Sequence, residues 1–158
     1  MTERLPADDR DESDSERADR NWVELLQELR VMQTGVQVLT GFLLTLPFQQ
    51  RFTELSTGQV TLYLVLVALS VATTGVLIAP VSVHRLVFRR GLKTPLVTVG
   101  ARLTLVGVVM LGLVVTGTAV LAFSVVVSGT AGLIAGAITA ILLLALWLVL
   151  PIGLTRRG

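Results

Sequence analysis

The side chains of this chain that could do chemistry are few, and most of them sit in one stretch, 21–48 (NWVELLQELRVMQTGVQVLTGFLLTLPF). Arg30, Gln33, Thr34, Gln37 and Thr40 recur there at spacings of three and four, so on a helix they share a stripe. The run 31–48 has no charge and is just long enough to span a bilayer as a helix. A Gln amide against lipid would leave donors and an acceptor unpaired, at a cost on the order of a few kcal/mol. The stripe is therefore expected to face other helices or water. Its chemistry is hydrogen bonding between helices or the lining of a polar path.

Acid–base and metal chemistry find little to work with. The single His, His84, stands beside Arg85 at the end of the second apolar run. It reads as an interfacial residue, with a proton relay as the alternative, because imidazole titrates near neutral pH. There is no Cys, hence no disulfide, thiol nucleophile or thiolate metal site. HExxH, GxSxG, Walker and dinucleotide-binding motifs are all missing. Ion-coupled transporters place carboxylates within the bilayer, and no apolar run here holds an Asp or Glu. We expect no enzyme, no catalytic residue, no cofactor and no metal.

Charge gathers at one entrance to the first span. Glu24 and Glu28 are a like-charge pair one helical turn apart, mildly unfavourable in isolation. Arg85, Arg89 or Arg102 from the central loop could relieve it, forming an ion-pair latch between the first helix and that loop. The alternative is a solvated interfacial face.

These groups need elements to hold them. Hydrophobic residues make up 53% of the 158 residues and charged ones 15%, against about 25% in a soluble domain. The apolar residues fall into four runs, about 31–48, 60–79, 103–123 and 131–154. The expected fold is all-α: a four-helix transmembrane bundle of two helical hairpins, residues 21–158, behind a disordered acidic tail, residues 1–20. Asn21 with Glu24 reads as a capping box that starts the first helix. Trp22, Leu25, Leu26 and Leu29 then form an apolar face suited to the membrane surface. Pro47 ends that span, and Ser56 with Gln59 reads as a second capping box. Pro80 is expected to kink the second helix without ending it. Gly91 reads as a helix C-cap, and Thr94-Pro95 as an N-cap followed by Pro at the first helical position.

Helix association in lipid rests on close packing and interhelical hydrogen bonds. Small residues mark candidate packing strips: Gly132, Gly136 and Ala140 in the fourth span, Ala68, Ala72, Gly75 and Ala79 in the second, and Gly107, Gly112, Thr116 and Gly117 in the third.

Orientation follows from the basic residues. Numbering the spans alternately puts 12 of the 13 Lys and Arg on one side and Arg51 alone on the other. The positive-inside rule then places both termini and the central loop in the cytoplasm, in the cell membrane. The basic segment 81–102 is expected to contact anionic lipid headgroups.

Two blocks, NWVELLQELRVMQTGVQVLTGFLLTLPFQQRF at 21–52 and APVSVHRLVFRRGLK at 79–93, resemble a family of small actinobacterial membrane proteins known as a domain of unknown function. The resemblance covers about residues 20–152 and implies a four-helix integral membrane protein. Some relatives are labelled sodium:proton antiporters, although this chain has no intramembrane carboxylate to bind the ion. The function expected is therefore a non-enzymatic helix-bundle component, an accessory or oligomeric membrane protein. Its partners would be the lipid bilayer and a second copy or another membrane protein, with no nucleic acid. The alternative is a small transporter or channel lined by Gln33, Gln37 and Thr40.

Overall fold

The computed structural model describes residues 14–87, 93–149 and 152. Four helices run in order: α1 (Asp14–Thr45), α2 (Thr57–Val87), α3 (Lys93–Val126) and α4 (Gly129–Leu144), the last continued by a π-helical turn, Ala145–Val149. No strand occurs among the described residues. All four helices are long and apolar enough to cross a membrane, over Val23–Phe48, Thr57–Ser82, Val99–Val126 and Gly129–Val149. Mean hydropathy is 1.3 in the first and 2.3 to 2.5 in the others, the lower value reflecting the polar residues of α1. This is a multi-pass membrane protein.

The helix ends follow local chemistry, with two shifts from expectation. α1 begins at Asp14, so Asn21 lies inside it rather than capping it, and residues 14–20 extend the helix instead of belonging to the tail. The sequence DSERADR explains this: its first residues are acidic, which suits the positive end of the helix dipole, and Glu16 stands one turn before Arg20. Residues 1–13 of the expected tail lie outside the described residues. At its other end α1 tightens at Pro47 into a 3-10 turn, Leu46–Phe48, followed after an extended Gln49 by a second, Gln50–Glu54.

α2 opens with the expected capping box. The Gln59 backbone N–H donates to Ser56 Oγ at 3.3 Å, and the Ser56 backbone N–H donates to Gln59 Oε1 at 2.9 Å. Pro80 lies inside α2, fully buried, and the helix continues past it to Val87. Because α3 starts at Lys93, Thr94 lies inside its first turn rather than capping it, and Pro95 is its third residue rather than its first; Gly91 lies outside the described residues. Only 127–128 separate α3 from α4, so both helices run beyond the apolar runs 103–123 and 131–154 toward each other. Ser128 caps α4 by accepting the Ala131 N–H on its Oγ at 3.2 Å.

α3 is the hub: it packs against α1, α2 and α4, while α1 also rests on α2. The buried residues recur at seven-residue intervals, as Leu29, Val36 and Leu43 on α1 and Gly100, Gly107, Val114 and Leu121 on α3. On α2 they run Tyr63, Leu66, Ser70, Thr73, Leu77 and Pro80, alternating three and four. That is the seam of left-handed helix packing. It corrects one expectation. Ala68, Ala72 and Gly75 of α2 face outward, and only Ala79 of that strip is half-buried. The buried hydroxyls of α2 are satisfied within the helix, Ser70 Oγ donating to the Val67 carbonyl and Thr73 Oγ1 to that of Leu69. Polarity on this seam therefore costs nothing in unpaired groups, and small size is not needed to make it the packing face.

Candidate functional site

The polar stripe of α1 divides in two. Gln33 is half-buried, and its Nε2 donates to the Leu77 carbonyl of α2 at 3.0 Å. Leu77 lies three residues before Pro80. Pro80 has no N–H for the Val76 carbonyl, and its ring crowds that turn of the backbone. The amide of α1 thus closes on α2 at the turn that proline opens. The Leu77 side chain is fully buried, packed with Leu29 and Val36. On its other side it fills the space left by the missing side chain of Gly107 on α3, where a methyl group would overlap Leu77. One turn of α2 is clasped by α1 and seated in α3.

Thr40 is also half-buried, but its Oγ1 bonds the Val36 carbonyl of its own helix at 2.7 Å. Arg30, Thr34 and Gln37 are exposed. Thr34 Oγ1 donates to the Arg30 carbonyl at 3.0 Å. Gln37 makes no hydrogen bond among the described residues. Of the two glutamines of the stripe, Gln33 thus meets another helix of the same chain and Gln37 does not. The reason is the seam: Leu29, Val36 and Leu43 define the buried line, which passes through Gln33 and Thr40 and turns Gln37 away.

Other groups singled out by sequence are placed as follows. Glu24, Glu28 and Arg102 are exposed, and none forms an ion pair among the described residues. Arg89 and the side chains of His84 and Arg85 lie outside the described residues. Gly132 and Gly136 are buried against α3, and Ala140 is half-buried. A Cβ at Gly132 would stand 2.6 Å from the Val120 carbonyl oxygen, and one at Gly136 would overlap the Val120 side chain. These glycines thus bring α4 onto α3 of the same chain.

Sequence reasoning missed three features. Gln59 Nε2 donates to the Ser124 carbonyl at 3.2 Å, tying the start of α2 to the last turn of α3; the signal was the spare N–H of a capping-box Gln. The Trp147 ring, in the π-helical turn, lies over Gly112, with its Cζ3 atom 3.2 Å from where a Cβ would be. Third, a cavity of about 220 Å³ opens where α1 ends and α2 begins, with Phe42, Leu46, Phe52, Tyr63, Leu121 and Val125 among its walls. Phe52 meets Tyr63 edge-on at 5.1 Å, which folds the 3-10 segment over that cavity. No cluster of three or more His, Cys, Asp or Glu that could hold a metal occurs among the described residues.

A family model matches residues 11–151, which take in the Gln33–Leu77 clasp, Pro80, Gly107 and the cavity. The chain belongs to DUF6328, a family of unknown function. No curated protein and no solved structure matches it. What the DUF6328 match encloses is the helical bundle, in which the Gln33 and Gln59 side chains bond from one helix to another.

Proposed function

We propose that this chain is a non-enzymatic, homo-oligomeric component of the cell membrane, with α1 as its contact helix. Gln37 carries the reading. It stands midway along a span, on the outer surface of the bundle, without a hydrogen bond among the described residues. Arg30, Thr34, Gly41 and Thr45 share its face, within about 80° of arc, and all are exposed. Gly41, on this face, has nothing within 4 Å of where a side chain would begin, so another backbone has room to approach. An amide bare to hydrocarbon costs on the order of a few kcal/mol. A two-fold contact removes that cost, because each Gln37 is both donor and acceptor for its own copy.

The chain has no Cys, so single cysteines report contacts against a silent background. In native membranes, Thr34→Cys, Gln37→Cys and Gly41→Cys should form disulfide-linked dimers on mild oxidation, while Ala72→Cys on α2 should not. Equal cross-linking at position 72 and at the α1 positions would overturn the proposal.

The basic residues support an orientation with both chain ends in the cytoplasm and Arg51 outside. A transporter or channel is the second reading, and the same face of α1 supports it if three or more copies surround an axis. Within one chain the stripe lines no path, since Gln33 bonds Leu77 and Gln37 turns away. Cation:proton exchange lacks a carboxylate in every apolar run.

A further inference from the structure

The cavity at the Arg51 end of the bundle has apolar walls and a charged edge. Phe42 and Val126 line it while remaining 59% and 73% exposed, so it opens sideways onto the surface that the four spans place in acyl chains. Its volume of about 220 Å³ falls below the roughly 300–1,000 Å³ of a site for a whole small molecule. It suits a length of hydrocarbon chain.

Arg51 lines this cavity and also an adjoining polar recess, which it shares with Glu54 and Gln59. Arg51 and Glu54 both lie in the 3-10 turn Gln50–Glu54, three residues apart, the spacing at which side chains of a 3-10 helix eclipse. Each is exposed and neither forms an ion pair among the described residues, so two opposite charges border one recess with their hydrogen-bonding capacity open. The Gln59 amide is already engaged, by Ser124 on one atom and Ser56 on the other.

We infer that this is a binding site for a phospholipid whose headgroup carries both a phosphate and a primary ammonium. An acyl segment occupies the cavity, the Arg51 guanidinium donates to the phosphate, and the Glu54 carboxylate accepts from the ammonium. A purely anionic lipid would meet Arg51 equally well but would set its negative charge beside Glu54. A choline lipid carries the positive charge without an N–H to donate.

The test is native mass spectrometry of the full chain in mild detergent with equimolar phosphatidylethanolamine, phosphatidylglycerol and phosphatidylcholine of identical acyl chains. Phosphatidylethanolamine should be retained above the other two. Glu54→Gln should lower its retention about ten-fold, to the level of phosphatidylcholine, as expected for loss of a charge-assisted hydrogen bond. Arg51→Gln should lower retention of all three lipids. Ala122→Phe, which fills the cavity from an exposed position on its wall, should do the same without disturbing the core. Preferential retention of phosphatidylglycerol, equal retention of all three, or retention unchanged by Ala122→Phe in a protein of unaltered helicity would each overturn the inference.

Discussion

Gln33 and Gln37 are chemically identical and one turn apart, yet the bundle gives them opposite work. Gln33 holds the Leu77 carbonyl of the same chain, and Gln37 points away from it. Gln33→Leu should therefore destabilise the folded monomer by about 0.6–2 kcal/mol, measured by reversible unfolding in mixed micelles. Gln37→Leu should leave that value unchanged and reduce the oligomeric mass in mild detergent. Either variant behaving like the other would contradict the division. The sequence showed that α1 carries a polar stripe but not which way it turns. Two seams run through it: Arg30, Gln33, Gln37, Thr40 and Leu29, Gln33, Val36, Thr40, Leu43. In water, burial of the apolar seam would decide. In lipid, Leu and Val are at home on either side, so apolar spacing does not point inward.

At the scale of elements the same ambiguity governs the glycines. Small residues on α2 and α4 look alike in sequence, yet Gly75 faces open space and Gly132 lies on the backbone of α3. Gly132→Ala should cost about 1–3 kcal/mol, because the Val120 carbonyl it would strike belongs to a helix backbone and cannot rotate away. Gly75→Ala should be neutral or slightly stabilising, since it improves helix propensity in free space. A thermal shift assay on the two variants separates them. Turn chemistry was far more legible. The Ser56–Gln59 box and the stop at Pro47 are set by neighbours in the chain, and α2 and α1 respect them. The start of α1 was not, because DSERADR is at once polar enough for a tail and charged in the order a helix favours.

For the whole molecule, four helices were readable, because long apolar runs admit few other structures in a membrane, whereas the central place of α3 was not. The cavity was not, since it arises only where a 3-10 segment folds back over two helix ends. Orientation gives the broadest check. A reporter fused after Gly58 should behave as non-cytoplasmic, and one fused to the C-terminus as cytoplasmic. Activity of the first in the cytoplasm would reverse the arrangement derived from the basic residues.

The two-residue link between α3 and α4 also bears on how the chain enters its membrane. It holds a Val and a Ser and no charge, whereas the connection between α1 and α2 holds Arg51 and Glu54. Translocating the first connection means stripping water from two ions; translocating the second means moving little beyond hydrocarbon. The later hairpin is thus built to slip in as a unit during synthesis, and the earlier one bears nearly all the electrostatic work of insertion.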